Sequence, residues 1–370
     1  MRLFFRIFTL KYWFWQVAVF FIFITSAHHF LCYNEEMKVT YFYNEEWEEA
    51  YVKERLPEHE ITFIKGTTQD HHGLRDEGAE IVSVFVNSQL SKKELDQFPN
   101  LKCVATRSTG FDHIDAAEAK ARGITVTYVP GYGENTVAEF AMGLLLTVSR
   151  KLYECIKKVQ DEGLFSQEGL RGFDLKGKTI GIVGTGRIGA HMIRMAKGFD
   201  MNVIAFDAFP KESLAQELGF TYKTLEEVLA QSDVVSLHLP YMPETHHIVN
   251  KENIMKMKKG SILINTARGA LVETDALVHA LQKGVLAGVG LDVLEEEEFV
   301  DDETKLLFGA HPHKDVLKTV LENHYLIEHP AAIITPHNAF NTGEAIKRIL
   351  DTTIENITAF AHGEAKNLIP

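Results

Sequence analysis

The sequence predicts an α/β protein with two doubly wound parallel-sheet domains and a cleft between them. Three observations support this fold class: β-rich runs alternate with helical patterns along most of the 370 residues, the alternation falls into two separate series, and a glycine-rich turn opens the second. Strands that alternate with helices form parallel sheets, because each helix carries the chain back to the edge where the next strand starts. A chain of this length can also bury two cores of ordinary size.

The first series extends from Met37 to about Pro130 and contains no glycine loop of the phosphate-binding type. Its strand and helix candidates are recognised by β-branched runs and by helical periodicity, respectively. The predicted strands are Val39–Tyr43, Ile61–Ile64, Ile81–Val86, Cys103–Thr106 and Thr125–Val129, and the predicted helices are Glu45–Arg55, Ser91–Phe98 and Asp115–Arg122. The nucleotide is therefore expected in the other domain.

The loop at residues 129–135 is followed by a helix that is apolar on nearly every face, from Phe140 to about Val148. Thr136 and Glu139 have the spacing of a capping box, which predicts the start of this helix. A helix without a polar face must be covered all round. It is interpreted as lying between domains or in the interface of a homodimer, through residues 136–150; an ordinary core helix is the alternative.

The second series contains six strand candidates separated by helical segments, as in a doubly wound nucleotide-binding sheet. They are Thr179–Val183, Asn202–Phe206, Val234–His238, Ser261–Asn265, Leu286–Asp292 and Ala332–Thr335. An amphipathic helix over Gly343–Gly363 is predicted to pack on the first domain. The predicted domains are thus residues 37–137 with 336–370, for the substrate, and residues 138–335, for the nucleotide.

The first 36 residues differ in composition from the rest, since basic residues precede an apolar stretch from Tyr12 to Thr25. Three interpretations compete: an extension upstream of a true start at Met37, a membrane anchor, or a cleaved signal. The first is favoured, and membrane contact is expected only if the segment is retained.

Composition limits the partners and the compartment. A net charge of −13 argues against affinity for nucleic acid or anionic lipid. Cys32, Cys103 and Cys155 form no CxxC pair, which argues against a disulfide framework or zinc site and suits the reducing cytoplasm. No carboxylate cluster accompanies the histidine pairs at 246–247 and at 311 and 313, so no metal site is predicted.

The turn after the first strand of the second series carries Gly184, Gly186 and Gly189 in the spacing GxGxxG. These glycines permit a tight turn, a close approach of a pyrophosphate, and close packing of the following helix, predicted over His191–Gly198. The next strand ends at Asp207. A carboxylate there accepts hydrogen bonds from the adenosine ribose and repels a 2′-phosphate, which favours NAD over NADP.

Three further strand ends carry Arg268, Glu297 and His337. A 2-keto acid needs a cation for its carboxylate, and a guanidinium can bind it through two hydrogen bonds. Reduction of the keto group needs a proton donor that titrates near neutral pH, which is histidine. A neighbouring carboxylate orients that histidine and favours its charged form. The constellation predicts a nicotinamide-dependent oxidoreductase of 2-keto and 2-hydroxy acids.

Taken together, these motifs resemble the D-isomer-specific 2-hydroxyacid dehydrogenase family, most closely its D-lactate dehydrogenase-like branch. The resemblance covers the chain from Met37 onward and implies Rossmann-like or flavodoxin-like domains. The matching segments are STGFDHID (108–115), VPGYGENTVAE (129–139), GTGRIG (184–189), HLPYMPET (238–245), NTARGALV (265–272), GLDVLEEE (290–297) and TPHNAF (335–340).

The resemblance implies roles for further residues and a catalytic triad of Arg268, Glu297 and His337. The family register selects Glu297 from four consecutive glutamates, and Glu295 is the alternative if the register slips. The implied cofactor contacts are Arg187 and Ile188 at the pyrophosphate, Leu239, Pro240 and Thr245 at the adenosine, and Thr266, Ala267, Arg268 and Asp292 at the nicotinamide. The implied substrate contacts are Thr109, Gly110, Tyr132 and Arg268, and we expect Phe340 to line the pocket.

The chain departs from the usual family pattern after Glu297, where Glu298 and Phe299 replace a proline and an acidic insert, Asp301–Asp315, comes next. The D-lactate branch shares both departures, which favours reduction of a small, pyruvate-like 2-keto acid with NADH and the reverse reaction. Glyoxylate, hydroxypyruvate or phosphoglycerate specificity remains open, as does a NAD-sensing corepressor-like role. Formate dehydrogenase relatives carry glutamine at the position of Glu297, which argues against that activity for this chain.

Overall fold

The computed structural model describes residues 36–71, 73–300 and 314–369. It divides into two compact units: the first ends at Pro130 and resumes at Ile349, and the second extends from Gly131 to Arg348. Each unit contains one parallel sheet, which confirms the predicted fold class of two parallel-sheet α/β domains. The assignment of residues 37–137 with 336–370 to the substrate and of residues 138–335 to the nucleotide stays a prediction. Predictions on residues 1–35 and 301–313 lie outside the described residues.

The first unit has a five-stranded sheet of order β2-β1-β3-β4-β5. Strands β3 and β4 are buried at every residue, as expected for parallel strands covered on both faces. The elements are β1 (Lys38–Tyr43), α1 (Glu46–Arg55), β2 (Glu60–Lys65), β3 (Ile81–Val84), α2 (Lys92–Leu95), β4 (Cys103–Thr106), α3 (Ala116–Ala121) and β5 (Thr125–Thr127). All five predicted strands are present within two residues at either end.

The second unit has a seven-stranded parallel sheet of order β12-β11-β10-β9-β6-β7-β8. Its elements are α4 (Glu134–Arg150), α5 (Leu152–Gln160), β6 (Thr179–Val183), α6 (Arg187–Gly198), β7 (Asn202–Phe206), α7 (Glu212–Leu218), β8 (Thr221–Tyr222), α8 (Leu225–Gln231), β9 (Val234–Leu237), α9 (Lys251–Ile254), β10 (Ser261–Asn265), α10 (Thr274–Gln282), β11 (Leu286–Leu291), α11 (Lys314–Glu328) and β12 (Ala332–Ile334). Helix α12 (Gly343–Ala361) starts here and ends in the first unit. The six predicted strands are present, and the two-residue β8 was too short for its sequence pattern to reveal.

The strand order of the second unit determines where a ligand can bind. The chain leaves β6 toward β7 on one side and later places β9 on the other side of β6. At such a switch point the loops after the two strands diverge and leave a crevice at the carboxyl ends of the strands. The predicted catalytic and cofactor residues come after β6, β7, β9, β10, β11 and β12, all at this edge.

The predicted capping box at the start of α4 is wrong. The helix begins at Glu134, directly after Gly133, and no side chain caps it. Thr136 is buried inside the first turns, where its Oγ1 lies 3.5 Å from Nη2 of Arg348, and Glu139 accepts a hydrogen bond from the Asn135 side chain. Because Thr136 points into the protein, it is unavailable to the free N–H groups at the helix start.

Helix α4 packs within the second unit. Its Met142, Leu144 and Leu145 are buried in one cluster with Ile262 and Ile264 of β10. The apolar character of the helix is therefore largely explained by an ordinary core position, the alternative to an interface. Within the described part of the chain, no helix is both long and apolar enough to cross a bilayer.

Candidate active site

The turn after β6 has the shape that a dinucleotide pyrophosphate requires. Gly184 has a φ of +96°, and a Cβ there would overlap the carbonyl group of His238. A Cβ on Gly189 would overlap the carbonyl of Gly184, whereas one on Gly186 would meet no atom within 4 Å. Two glycines thus permit close packing, and the third leaves open space at the start of α6. The helix starts at Arg187, four residues before the predicted His191, and no side chain caps it. A helix N-terminus of this kind is suited to binding phosphate through its free N–H groups.

Asp207 lies at the carboxyl end of β7 and is held in one orientation. Its Oδ2 accepts hydrogen bonds from the backbone N–H and hydroxyl of Thr185, at 2.7 and 2.8 Å, and its Oδ1 accepts one from the Phe209 N–H. Thr185 is in turn 2.8 Å from the hydroxyl of Tyr222 on β8. A fixed carboxylate next to the glycine turn fits the ribose hydroxyls of NAD and disfavours the extra phosphate of NADP.

The remaining predicted cofactor residues lie at the same edge of the second unit. Thr245 is buried and its hydroxyl donates to the carbonyl of Pro240, which folds the loop after Leu239. Thr266 comes directly after β10, and its buried hydroxyl has no hydrogen-bond partner among the described residues. Buried polar groups are rarely left unpaired, so this hydroxyl is suited to a ligand. Ala267 is the next residue, while Ile188 and Arg187 lie in the first turn of α6, where Arg187 pairs with Glu134 at 3.3 Å.

Arg268 is presented by a loop that Asn265 folds. The Asn265 side chain accepts a hydrogen bond from the N–H of Ala267 and donates one to the carbonyl of Arg268, at 3.0 and 2.8 Å. One guanidinium nitrogen of Arg268 also donates to the Ala267 carbonyl. These bonds place a half-buried guanidinium at the carboxyl end of β10, in the same unit as Tyr132. Burial raises the pKa of the Tyr132 hydroxyl, and the charge of Arg268 opposes that rise.

Gly269 brings the loop of Arg268 against the loop of Glu297. A Cβ at this position would overlap the backbone of Leu294 and Glu295. Only glycine permits this contact, since any side chain would push the two loops apart. The two loops are therefore in direct backbone contact.

His337 and Glu297 form a hydrogen-bonded pair, with 2.8 Å between Nδ1 and Oε1. The contact engages Nδ1, so Nε2 is the ring nitrogen that remains for a substrate. The other oxygen of Glu297 accepts the N–H of Leu294 at 3.2 Å. Glu295, the alternative in the glutamate run, instead lies 2.6 Å from Nε2 of His247. The geometry thus favours the register that selects Glu297.

Asp292 holds the loop that carries His337. Its carboxylate accepts hydrogen bonds from the Thr335 hydroxyl and from the N–H groups of Asn338 and Ala339, and its carbonyl accepts the N–H of His337. These bonds hold His337 at a φ of +50°, a backbone conformation that costs a residue with a side chain about 1–3 kcal/mol. Burial raises the pKa of Asp292, and the three donors act against that rise. Asp292 therefore orients the histidine, whatever else it contacts.

The predicted substrate residues are found in both units. The ring of Phe340 lies 6.4 Å from that of His337, at 77° to it. Thr109 and Gly110 belong to the first unit, where the Thr109 hydroxyl donates to the carbonyl of Val129 and the carbonyl of Gly110 accepts from Ser108. Contact of these two residues with a substrate stays a prediction.

No group of three metal-ligating side chains occurs within residues 36–71, 73–300 and 314–369. The rings of His246 and His247 stack on each other with 3.8 Å between their centroids, and His247 is engaged by Glu295. Because this finding covers only the described residues, the predicted absence of a metal stays a prediction.

Three positioning residues were not predicted from the sequence: Asn265, Gly269 and Thr335. Each lies in or beside a segment already singled out, NTARGALV or TPHNAF. A polar residue at the end of a buried strand, such as Asn265, is a usable signal because it needs hydrogen-bond partners. The packing of Gly269 on a distant loop left no such signal.

The arrangement can bind and reduce a 2-keto acid. It combines a guanidinium for a carboxylate, an imidazole with a carboxylate partner for proton transfer, and an open glycine turn with a fixed carboxylate for a dinucleotide. All these groups lie in the second unit, at the carboxyl edge of one sheet.

Comparison with known proteins agrees with this geometry. Residues 142–339 match the family described as D-isomer specific 2-hydroxyacid dehydrogenase, NAD binding domain. The chain is 37% identical to a D-lactate dehydrogenase of Escherichia coli K12, over 78% of this chain and 85% of that protein. It is also 37% identical to a glyoxylate reductase of Thermofilum pendens, over 79% and 80%. A crystal structure of D-lactate dehydrogenase from Aquifex aeolicus, complexed with NAD and lactic acid, is similar with a TM-score of 0.77 and 35% identity, covering 88% of this chain and 96% of that one.

Proposed function

Because the chain belongs to the D-isomer-specific 2-hydroxyacid dehydrogenases, we propose that it interconverts pyruvate and D-lactate. As a member of this family it is an NAD-dependent oxidoreductase of CH–OH donors. The observation that carries the proposal is the His337–Glu297 pair with the ring of Phe340 beside it. An apolar ring next to the proton donor favours a keto acid with a small apolar side chain. The similarity to proteins named D-lactate dehydrogenase supports the same substrate.

In the proposed mechanism the three catalytic residues divide substrate binding and proton transfer between them. Arg268 binds the substrate carboxylate and polarises the keto oxygen. His337 donates a proton from Nε2 to that oxygen as negative charge develops, and Glu297 stabilises the charged imidazole through Nδ1. Bound NADH supplies the hydride. The glycine turn, with Arg187 and Ile188, holds the pyrophosphate, Asp207 the ribose, and Leu239, Pro240 and Thr245 the adenosine side.

The nicotinamide side of the proposed site is formed by residues in the loops after β10 and β11. Thr266, Ala267, Arg268 and Asp292 flank the ring in this proposal, and the unpartnered hydroxyl of Thr266 supports it. Thr109, Gly110 and Tyr132 complete the proposed substrate contacts.

The substrate assignment is tested by NADH oxidation with pyruvate, glyoxylate, hydroxypyruvate, oxaloacetate and longer 2-keto acids. We expect kcat/KM for pyruvate to exceed that for glyoxylate by about 10–200-fold, because glyoxylate lacks the methyl group that an apolar pocket binds. D-lactate, and not L-lactate, should reduce NAD in the reverse assay. A preference for glyoxylate or hydroxypyruvate would contradict the assignment. Absence of turnover with every acid would instead support a NAD-sensing binding protein.

We also propose that the active protein is a homodimer, formed through the segment that follows α4. The proposed contact surface is an apolar patch at α5 and the loop after it. Ile156 is 55% exposed and Phe165 is 98% exposed. Neighbouring large apolar side chains with such exposure are typical of a protein–protein contact surface. The patch consists of Leu152, Tyr153, Ile156, Val159, Leu164 and Phe165.

Replacing Ile156 with glutamate is expected to convert the dimer into a monomer, because a charge in the centre of an apolar interface loses its hydration. Light scattering after size-exclusion chromatography measures the change. Leu321→Glu is the matched control, since Leu321 is 69% exposed on α11, outside the apolar patch. A wild-type protein that elutes as a monomer at micromolar concentration would contradict the proposed dimer.

The proposed location is the cytoplasm, where NADH is available and free thiols persist. Cys103 and Cys155 are free cysteines in the structure. Membrane contact through residues 1–36 rests almost entirely on residues outside the described part of the chain.

A further inference from the structure

A second histidine–glutamate contact lies close to the proposed catalytic pair along the chain. Glu295 is two residues before Glu297, and its Oε1 is 2.6 Å from Nε2 of His247. Its Oε2 accepts hydrogen bonds from the hydroxyl and the N–H of Thr274, at 2.7 and 3.3 Å. Its carbonyl accepts the side-chain amide of the fully buried Asn323, at 2.7 Å. Glu295 therefore connects the loop after β11 to the loop before α9, to the start of α10 and to α11.

These contacts matter because they hold the chain immediately before Glu297. The side chain of Glu297 is 44% exposed, and within the loop it accepts a hydrogen bond from the N–H of Leu294. A small cavity lies under Leu294 and Glu295, lined among others by Thr274, Leu277 and Asn323. Leu294 packs against the core of the second unit, and the polar contacts of Glu295 add directional restraint on the loop. Gly269 restrains it from the other side through direct backbone contact.

We propose that Glu295 is a positioning residue for Glu297, and that His247 and Thr274 hold it in place. The inference rests on the proposed function, since it acts through the Glu297–His337 pair. Without the Glu295 contacts, the loop can shift, and Glu297 then no longer meets Nδ1 of His337 at hydrogen-bond distance. A displacement of about 1 Å in catalytic geometry can cost about 10²-fold in rate, so even partial loosening should be measurable.

Thr274 provides a matched pair of variants. Thr274→Val removes the hydroxyl that donates to Glu295 and keeps the side-chain volume, whereas Thr274→Ser keeps the hydroxyl. We expect Thr274→Val to lower kcat about threefold to tenfold, whereas Thr274→Ser should keep the kcat of the wild type. KM for pyruvate should change less than kcat in the valine variant. A purely structural effect of volume would give the opposite order, because serine is the smaller residue.

A double-mutant cycle tests whether Glu295 acts through Glu297. Glu295→Gln is made in the wild-type enzyme and in a Glu297→Gln background, and kcat with pyruvate and the Kd for NADH are measured in each. We expect a loss of about tenfold in the wild type, less than about twofold in the Glu297→Gln background, and an unchanged Kd. Asp233→Asn is the control, because it likewise replaces a carboxylate that accepts a backbone N–H; Asp233 also pairs with Lys258, and it lies at the opposite edge of the sheet. The kcat of Asp233→Asn should equal that of the wild type, although its Tm should change about as much as that of Glu295→Gln.

The outcomes separate the inference from the function. An equal loss of kcat in both backgrounds, or no loss in either, overturns the role of Glu295. Full activity of Glu297→Gln by itself overturns the proposed catalytic pair. If Glu295→Gln does not fold, Thr274→Val in the same two backgrounds gives the same test, with a loss confined to the wild-type background expected.

Discussion

Replacing His337 with glutamine is expected to lower kcat for pyruvate reduction by about 10²–10⁴-fold, because the enzyme loses its general acid. Glutamine keeps a polar side chain near Glu297 but has no group that can give up a proton near neutral pH. The Kd for NADH should change by less than about twofold, since the proposed cofactor residues lie in other loops. Stopped-flow or steady-state NADH oxidation measures the first quantity, and NADH fluorescence titration the second.

His279→Gln is the control for this experiment. His279 is exposed near the end of α10, so its replacement makes the same chemical change away from the site. Its kcat should equal that of the wild type. Turnover of His337→Gln within about threefold of the wild type would assign proton donation to another group, because a real general acid contributes far more.

Replacing Arg268 with lysine is expected to lower kcat/KM for pyruvate by about 10²–10³-fold. Lysine keeps the charge but cannot form two parallel hydrogen bonds to a carboxylate. Loss of one bond to a charged acceptor costs about 1.5–3 kcal/mol, and misplacement of the second adds to this. Both KM and kcat should change, since the guanidinium is proposed to bind the carboxylate and to polarise the keto oxygen.

The matched control is Arg194→Lys, because Arg194 lies on α6 in an exposed pair with Glu217. Its kinetics should not change. Comparison with oxamate, a pyruvate analogue that is not reduced, separates binding from catalysis: its Ki should rise far more with Arg268→Lys than with His337→Gln, because the histidine acts mainly in the transition state. An unchanged Ki in Arg268→Lys would contradict the proposed role of Arg268 in carboxylate binding.

The sheets and the strand-end residues could be predicted from the sequence because their causes are local. Buried parallel strands such as Ser261–Asn265 are continuous apolar runs, and the loops after such strands all lie at the same edge of the sheet. Arg268 and His337 lie in two such loops, so their place at that edge was predictable. The GxGxxG turn is likewise local, since each glycine answers a steric need within a few residues.

The register of the glutamate run could not be derived from local pattern. Glu295 and Glu297 are chemically identical and two residues apart, and they differ in their partners, His247 and His337, which are distant in sequence. The same holds for the φ of +50° at His337, which depends on hydrogen bonds to Asp292. The prediction of a capping box at Thr136 failed for a related reason. The spacing of Thr136 and Glu139 was correct, but the Thr136 side chain is buried next to Arg348.

The backbone contact at Gly269 has a consequence for attempts to redirect the enzyme to other substrates. The loop that carries Arg268 and the loop that carries Glu297 meet there without a side chain between them. The two loops therefore cannot be redesigned separately. We expect a combinatorial library that varies residue 269 to consist mostly of inactive clones, because any side chain there overlaps the backbone of Leu294 and Glu295. Phe340 and Tyr132, which we propose as substrate contacts, have no backbone conformation that requires glycine, so variants at these two positions are the better way to explore new keto acids.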